Sequence, residues 1–206
     1  MALFIPTYFA PISQYAAIYQ SDSVTFEFED NYQKQTYRNR CYIYGANGKL
    51  ALNIPVKHLT KEGRKKTKDT IIENDFPWQQ QHFKSLQSAY RSSPFFEFFE
   101  DDLAALFNKK YHFLQDVNID THLFVTDALQ MDTSYKKTKA YELIPYMDDF
   151  RSLDLAKNGV EIEMDTYIQM FDDKYGFIPN LSILDLLFME GPNAISFLEK
   201  INVDLR

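Results

Sequence analysis

The sequence predicts an α/β fold in which a mixed β-sheet, formed by the N-terminal third, is covered by helices from the middle and the C-terminus. Three observations support this prediction. Short apolar runs separated by turn residues fill residues 1–75, helical spacing of apolar residues begins at Trp78, and helical spacing returns near the C-terminus. With 206 residues, the chain is long enough for one domain with a substantial core.

The N-terminus predicts a strand, a helix and a second strand. Residues 2–5 are an apolar run closed by Pro6, which is typical of a short buried strand. Residues 12–19 place apolar side chains at helical spacing, with Pro11 suited to the first turn. Residues 23–28 alternate between apolar and polar side chains, as strands do. Together these elements predict a βαβ unit with a right-handed crossover.

Two further strands are predicted as a hairpin. Residues 35–44 form the first of them and residues 50–56 the second, joined through an Asn-Gly turn at residues 45–48. Pro55 places the second strand at a sheet edge or a strand end, because proline has no N–H to donate. Residues 70–73 predict one more short strand.

Helical patterns dominate the middle of the chain. Apolar and aromatic residues recur at four-residue steps from residue 78 to residue 90. Ser93, followed by Pro94, is typical of the cap and first turn of a second helix, which we expect to reach Asn108. A third helix is predicted from about residue 116 to residue 131.

The last third predicts loops followed by helices. Residues 132–175 are acidic and poorly periodic, with one short strand predicted at 161–164. Ser182, with Asp185 three residues later, is a capping-box pattern, and a last helix is predicted at residues 193–201. We therefore predict a single domain over residues 1–206, divided into a sheet-rich core (1–75), a helical region (76–130), an acidic loop-rich segment (131–175) and C-terminal helices (176–206).

The composition excludes several kinds of site. Six glycines leave no glycine-rich phosphate loop, and neither a Walker loop nor a Rossmann fingerprint is present. The single cysteine excludes a cysteine-based zinc site, and the four histidines lack metal-ligand spacing, so we expect no metal and no cofactor. The net charge of -7 argues against a dedicated nucleic-acid binder. Neither a signal peptide nor a long apolar run is present, so we expect a cytoplasmic protein without membrane contact.

Two arginines provide the main clue to function. If residues 35–44 form a strand, side chains alternate along it, so Arg38 and Arg40 lie on the same face. Two adjacent guanidinium groups repel each other unless an anion lies between them, and their planar shape fits phosphate or carboxylate. One interpretation is therefore an anion-binding site. The alternative is a salt-bridged sheet face. Its acidic partners would come from the preceding segment, namely Glu27, Glu29 and Asp30.

Further side chains are candidates for the same site. Tyr37 and Asn39 flank the arginines and offer hydrogen bonds or a ring for stacking. Tyr8 and Gln14 flank the first strand-to-helix turn, and ligands of open α/β sheets bind beyond the carboxyl ends of strands. Aromatic packing is the alternative for such a tyrosine. His82 is either a structural histidine on an aromatic helix face or a general base, if the arginine site lies opposite it.

A basic loop follows the hairpin. Residues 57–68 contain six Lys or Arg residues and one acid, and Lys57 and His58 at its start are candidate anion contacts. The loop is either a solvated segment or a lid that closes over a phosphorylated substrate. Contact with a tRNA that carries an acyl donor is a further alternative.

Several stretches, in order along the chain, resemble the WbqC-like family of bacterial proteins and cover most of residues 1–110 and 171–198. The matching stretches are 6–15, 32–40, 52–56, Trp78 with His82, 90–97, and 181–188 with Gly191. Some members of that family sit among genes for O-antigen polysaccharide synthesis. A glycine transferase role, in which an aminoacyl group is attached to an amino sugar, has been suggested for them. The resemblance thus implies a transferase in bacterial surface polysaccharide biosynthesis.

The residues and the resemblance give two hypotheses from different classes. The first is a cytoplasmic transferase that acts on an anionic small molecule, such as a nucleotide-linked sugar. In it, Arg38 and Arg40 hold phosphate or carboxylate. Tyr8 and Asn39 orient the substrate, and His82 is the catalytic base. The second is a non-catalytic module that binds a sugar nucleotide or a protein partner. The oligomeric state does not follow from the sequence.

Overall fold

A four-stranded parallel sheet and a separate two-stranded antiparallel hairpin form the β part of the fold. The computed structural model of the chain describes residues 1–57, 65–132, 134–157, 159 and 162–203. The strands are β1 Ala2–Phe4, β2 Val24–Phe26, β3 Arg40–Gly45, β4 Gly48–Asn53, β5 Tyr135–Lys137 and β6 Asp148–Asp149. The α-helices are α1 Ile12–Tyr19, α2 Trp78–Tyr90, α3 Phe96–Asn108, α4 Leu114–Ala128, α5 Asp172–Tyr175, α6 Ile183–Glu190 and α7 Ala194–Leu198. Short 3₁₀ helices lie at Thr67–Asp69, Arg151–Asp154 and Gly191–Asn193. The predicted α/β class is confirmed.

The parallel sheet has the strand order β5-β2-β1-β6. β1 and β2 pair in parallel, with Ala2 opposite Val24, and α1 connects them, so the predicted strand-helix-strand unit is confirmed. β6 pairs with the other side of β1, and β5 pairs with the outer side of β2. Both outer strands come from residues 131–175, which were predicted to be loop-rich. Strands of two or three residues are too short to show an alternating pattern.

The predicted hairpin is confirmed, but its first strand is shorter than expected. β3 begins at Arg40 instead of residue 35, and β4 ends at Asn53. Gly45 pairs with Gly48 at the turn, and the φ of +93° at Gly48 is a conformation that glycine adopts without strain. In the described part of the chain, the hairpin and the parallel sheet are two sheets instead of the one mixed sheet predicted.

Three other predicted elements differ in the structure. Residues 70–73 form isolated bridges instead of a strand. The strand predicted at 161–164 is absent from the three of these residues that the structure describes. α3 begins at Phe96, and Ser93 does not cap it. The Ser93 hydroxyl instead donates to the Tyr90 carbonyl oxygen at the end of α2 (2.7 Å).

β1, α1 and α6 lie in the core. All three residues of β1 are buried, and so are most residues of α1 and α6. The starts of the two helices are held together by backbone hydrogen bonds, from the Ile12 N–H to the Leu181 carbonyl (3.0 Å) and from the Ile183 N–H to the Ala10 carbonyl (2.9 Å). Among the described residues, no helix has both the length and the apolar character needed to cross a membrane.

Only half of the predicted capping box at α6 forms, because the Asp185 carboxylate is buried in the core. Ser182 caps the helix as predicted, since its Oγ accepts from the backbone N–H two residues on (3.3 Å). The Asp185 side chain instead points inward. It accepts hydrogen bonds from Tyr90 Oη (2.6 Å), Tyr167 Oη (2.5 Å) and Gln169 Nε2 (2.9 Å). Burial raises the pKa of Asp185, and these three hydrogen bonds oppose that shift.

The Tyr90 hydroxyl joins this carboxylate to the hairpin, because it also accepts from the backbone N–H of Tyr44 in β3 (3.0 Å). Tyr90→Phe leaves a buried donor and a buried acceptor without partners. We expect the free energy of unfolding, measured by urea denaturation, to fall by about 2–4 kcal/mol. Tyr146→Phe, at an exposed position, is the matched control and should change it by less than about 0.5 kcal/mol. Equal effects of the two substitutions would contradict a stabilising role for the network.

Candidate anion-binding site

An open cleft of about 890 Å³, called cleft 1, lies beside the hairpin. It is lined by residues 53–57 at and beyond the end of β4 and by Asn39 and Arg40 at the start of β3. Segments on either side of the hairpin complete it. The described residues that these segments contribute are Tyr32, Lys34, Gln35, Lys65, Thr70, Glu73 and Phe76. The start and end of the hairpin therefore determine where cleft 1 lies.

Cations outnumber acids in cleft 1. Among the described residues, four cationic side chains line it against the single carboxylate of Glu73, which gives these residues a net charge of +3 in a chain whose net charge is -7. The cations are Lys34, Arg40, Lys57 and Lys65. Lys57 Nζ and Glu73 Oε1 are 3.7 Å apart, so Glu73 partly offsets the positive charge of Lys57. A concave surface lined by one sign of charge raises the local concentration of ligands of the opposite sign.

Two of these cations have buried nitrogen atoms that lack a hydrogen-bond partner in the described part of the chain. The atoms are Arg40 Nε and Lys65 Nζ. Burial lowers the pKa of Lys65, and the carboxylate of Asp69 opposes that shift. A cation removed from water is unfavourable when no partner offsets the lost hydration. An anion bound in cleft 1 would supply that partner.

Asn39 and Tyr32 add neutral polar groups to cleft 1. The Asn39 side-chain amide donates to the Ile54 carbonyl (2.9 Å), and the Ile54 N–H donates to the Asn39 carbonyl (2.8 Å). Asn39 Oδ1 is buried and has no partner among the described residues. Burial raises the pKa of Tyr32, although the nearby charges of two arginines oppose this. Its phenol is therefore protonated at neutral pH and able to donate a hydrogen bond to a ligand.

Arg38 is bound by two buried carboxylates outside cleft 1. Its Nε and Nη2 donate to Asp30 Oδ2 (3.1 and 2.8 Å), and its Nη1 donates to Asp154 Oδ2. The Thr67 hydroxyl also donates to Asp30 Oδ2 (2.9 Å). Only 2% of the Arg38 side chain is exposed. Burial lowers the pKa of Arg38, and the charge of Asp30 opposes that shift.

The two arginines therefore do not form the side-by-side pair that strand alternation predicted. The strand begins at Arg40, so alternation does not apply to Arg38. Arg38 has the salt-bridged arrangement of the alternative interpretation and lines a different cleft. Asp30, one of its partners, was among the three acids considered, whereas Glu29 pairs with two lysines of the predicted basic loop. Arg40 makes no ion pair with the described residues.

Tyr8 and His82 lie in the core and contact each other. Tyr8 Oη is 2.9 Å from His82 Nδ1, and the ring also makes a hydrogen bond with the backbone of Asn53. Burial lowers the pKa of His82 to about 4 and raises that of Tyr8, so both side chains are uncharged at neutral pH. Neither side chain lines cleft 1. An anion bound there would not contact the predicted base directly.

Gln14 and Tyr37 also have structural contacts. The Gln14 side chain is buried, donates to the Ile5 carbonyl (2.9 Å) and accepts from the Thr7 hydroxyl (3.0 Å), which fixes the connection from β1 to α1. Tyr37 packs edge-on against Tyr42, with ring centroids 6.0 Å apart. Burial raises the pKa of Tyr37 to about 12.

Cleft 1 brings together three of the predicted site residues, namely Asn39, Arg40 and Lys57. His58 lies outside the described residues. Sequence reasoning did not single out Lys65 or Tyr32, although Lys65 belongs to the predicted basic loop and Tyr32 begins a stretch that resembles the family. In the ranges that the structure describes, no group of three or more His, Cys, Asp or Glu side chains is arranged to hold a metal ion.

The fold and the cleft define a mixed α/β protein in which cationic side chains outnumber acidic ones among the described residues of cleft 1. The model of the WbqC-like protein family matches residues 6–158 of the 206. The chain therefore belongs to the WbqC-like family, as its motifs predicted. The matched region contains all the residues of cleft 1, together with Arg38 and both of its carboxylate partners. Comparisons with curated proteins and with solved structures gave no match.

Two buried histidines are expected to make the stability of the protein depend on pH. Burial lowers the pKa values of His82 and His122 from 6.5 to about 4. Between pH 6.5 and about pH 4, the two histidines are protonated in the unfolded chain but stay neutral in the folded chain. Acidification through this range therefore favours unfolding. We expect the free energy of unfolding to fall as the pH decreases from 6.5 to about 4, by up to about 3 kcal/mol for each ring.

Urea denaturation at several pH values measures this decrease. His82→Gln retains a donor and an acceptor for the two hydrogen bonds of the ring and should remove about half of the contribution of the histidines. The exposed His112→Gln is the control and should leave the pH dependence as it is. If His82→Gln leaves the pH dependence of the unfolding free energy unchanged, His82 is not a buried neutral imidazole.

Proposed function

We propose that this protein binds a phosphate-bearing small molecule, such as a nucleotide-linked sugar, in cleft 1 and acts on it as a transferase. The observation that carries the proposal is the pair of buried cationic nitrogens, Arg40 Nε and Lys65 Nζ, that line one cleft and have no partner among the described residues. The described residues offer one carboxylate there, that of Glu73, and it already lies near Lys57. An external anion is therefore the partner that cleft 1 fits.

The shape and composition of cleft 1 support a ligand larger than a single ion. Its volume of about 890 Å³ lies within the range of sites for small molecules and cofactors. The guanidinium of Arg40 presents a planar fork that suits phosphate, and Lys65 adds a point charge. Tyr32 and Asn39 offer a ring and an amide for the uncharged part of the ligand. A nucleotide-linked sugar combines these features, since it carries phosphates, a base and hydroxyl groups.

Membership of the WbqC-like family supports the transferase part of the proposal. The family resemblance implies aminoacyl transfer to an amino sugar in surface polysaccharide biosynthesis, and the charge of cleft 1 suits the phosphates of an activated sugar. No role in bond making is proposed for His82, because it is buried against Tyr8. Arg40 and Lys65 are proposed to bind and orient the anion.

A non-catalytic binding module is the second candidate, and one observation favours it. The only carboxylate among the described residues lining cleft 1 is Glu73, which lies near Lys57, and the predicted base does not reach the cleft. A protein that only holds a nucleotide-linked sugar has no need of a titrating group beside the anion.

Arg40→Gln tests the anion site. We expect it to weaken the binding of a uridine-diphosphate-linked sugar, and of pyrophosphate, by at least about tenfold in isothermal titration calorimetry, because it removes a charge-assisted hydrogen bond. The melting temperature should change little, because Arg40 makes no ion pair among the described residues. Arg91→Gln, which removes an exposed arginine that pairs with Glu100 (3.2 Å), is the matched control. Equal affinities for Arg40→Gln and the parent protein would refute the site.

A transfer assay separates the two candidate functions. The protein is incubated with the nucleotide-linked sugar that binds best and with aminoacyl donors, free or carried by tRNA, and products are identified by mass spectrometry. A product that requires Arg40 supports the transferase. Binding that requires Arg40, without turnover of any donor, supports the binding module.

A further inference from the structure

A second cleft, called cleft 2, lies at the carboxyl edge of the parallel sheet and has a volume of about 850 Å³. Ile5, which directly follows β1, lines it. Asp149 at the end of β6 and Arg151 just beyond also line it. Cleft 2 therefore lies at the carboxyl ends of two strands that are neighbours in the sheet.

The strand order places cleft 2 beside an edge strand of the sheet. From β1 the chain continues to β2 and then β5 on one side, whereas β6 pairs with the opposite side of β1 and is followed by the 3₁₀ helix Arg151–Asp154. In open α/β sheets, ligands bind beyond the carboxyl ends of the strands. Cleft 2 occupies such a position.

Two buried carboxylates line cleft 2. Asp30 and Asp154 each bind Arg38 through Oδ2. Asp30 is 3% exposed, and its Oδ1 accepts no hydrogen bond from the described residues. A buried carboxylate oxygen without a donor is unfavourable, and such groups in native proteins are nearly always satisfied. A donor supplied by a ligand would satisfy this oxygen.

The charges of cleft 2 favour a cationic donor. Of the described residues that line it, three carry carboxylates and two carry guanidinium groups, so their net charge is -1. Both arginines already have acidic partners, since Arg38 binds Asp30 and Asp154, and Arg151 binds Asp149 (2.6 Å). The remaining hydrogen-bonding capacity therefore lies on the acids. Cleft 1 has the opposite charge.

Two tyrosines line cleft 2 as well. Tyr32 lines both clefts, and Tyr141 lies under the guanidinium of Arg151, 4.9 Å from its ring centroid. Arg151 also donates to the backbone carbonyls of Glu142 (2.9 Å) and Leu143 (3.3 Å), so this side of the cleft is held in place. The faces of tyrosine rings attract cations.

We propose that cleft 2 binds the ammonium group of a small organic amine. Its N–H groups donate to Asp30 and Asp154, and the tyrosine rings pack against the carbon atoms next to the nitrogen. The site differs from cleft 1 in its charge and in all its lining residues except Tyr32. The proposal therefore stands independently of the function proposed for cleft 1.

Titration of ¹⁵N-labelled protein with ethanolamine at neutral pH, where its amine is protonated, tests the proposal. Ethylene glycol is the uncharged probe of similar size. We expect saturable shifts of the amide signals of residues 30–33 and 149–155 with ethanolamine and none with ethylene glycol. Equal shifts with both probes, or no saturable shift in these residues, would overturn the proposal.

Variants identify the groups responsible. Asp30→Asn should weaken ethanolamine binding by at least about tenfold, because it removes the charge that the ammonium contacts. Asp30 also binds Arg38, so its substitution affects the fold as well as the cleft. Tyr141→Leu, at a half-exposed position, is therefore a second test and should weaken ethanolamine binding by about threefold. Tyr146→Leu, in the same segment but outside the lining of cleft 2, is the matched control.

Arg40→Gln should leave the binding of ethanolamine unchanged, which keeps this test separate from that of cleft 1. If Asp30→Asn does not fold, the comparison of Tyr141→Leu with Tyr146→Leu decides the outcome. If Tyr141→Leu and Tyr146→Leu both bind ethanolamine as tightly as the parent protein does, the proposed amine site is wrong.

Discussion

The buried ion pairs of Arg38 are the interaction on which the arrangement of both clefts depends. The guanidinium joins Asp30, four residues beyond the end of β2, to Asp154, in the 3₁₀ helix after β6. The Arg38 carbonyl also accepts from the side chain of Asn118 in α4 (2.9 Å). These contacts hold the segment before the hairpin against the parallel sheet. Removing one partner of such a buried pair typically costs about 3–5 kcal/mol, because the other charge is left without compensation.

Two arginines that are two positions apart therefore have opposite roles. Arg38 is paired with two protein carboxylates, whereas the buried Nε of Arg40 has no partner among the described residues. The consequence is a separation of charge across residues 32–35, with a cationic cleft on one side and an acidic cleft on the other. The two clefts share one described wall residue, Tyr32.

Elements with a long periodic pattern were predicted well, and elements defined by distant contacts were not. The spacing of residues 78–90 predicted α2, and the alternation and glycines of residues 40–53 predicted the hairpin. β5 and β6 were missed, because their two or three residues show no pattern of their own and depend on pairing with β1 and β2. Ser93 and Asp185 both matched capping patterns, but one bonds back to α2 and the other accepts from two distant tyrosines.

The sequence by itself determined the α/β class, the family, and the presence of an anion-binding candidate among residues 38–40. Only the tertiary structure decided which of the two arginines pairs with protein carboxylates. Asp154 lies 116 residues from Arg38 in the sequence, and Tyr8 lies 74 residues from His82. Local periodicity describes which face a side chain occupies, but the partner that neutralises a buried charge comes from whichever segment the fold brings alongside it. For this reason Arg38 has two buried carboxylate partners, whereas Arg40 lines cleft 1 and makes no ion pair with the described residues.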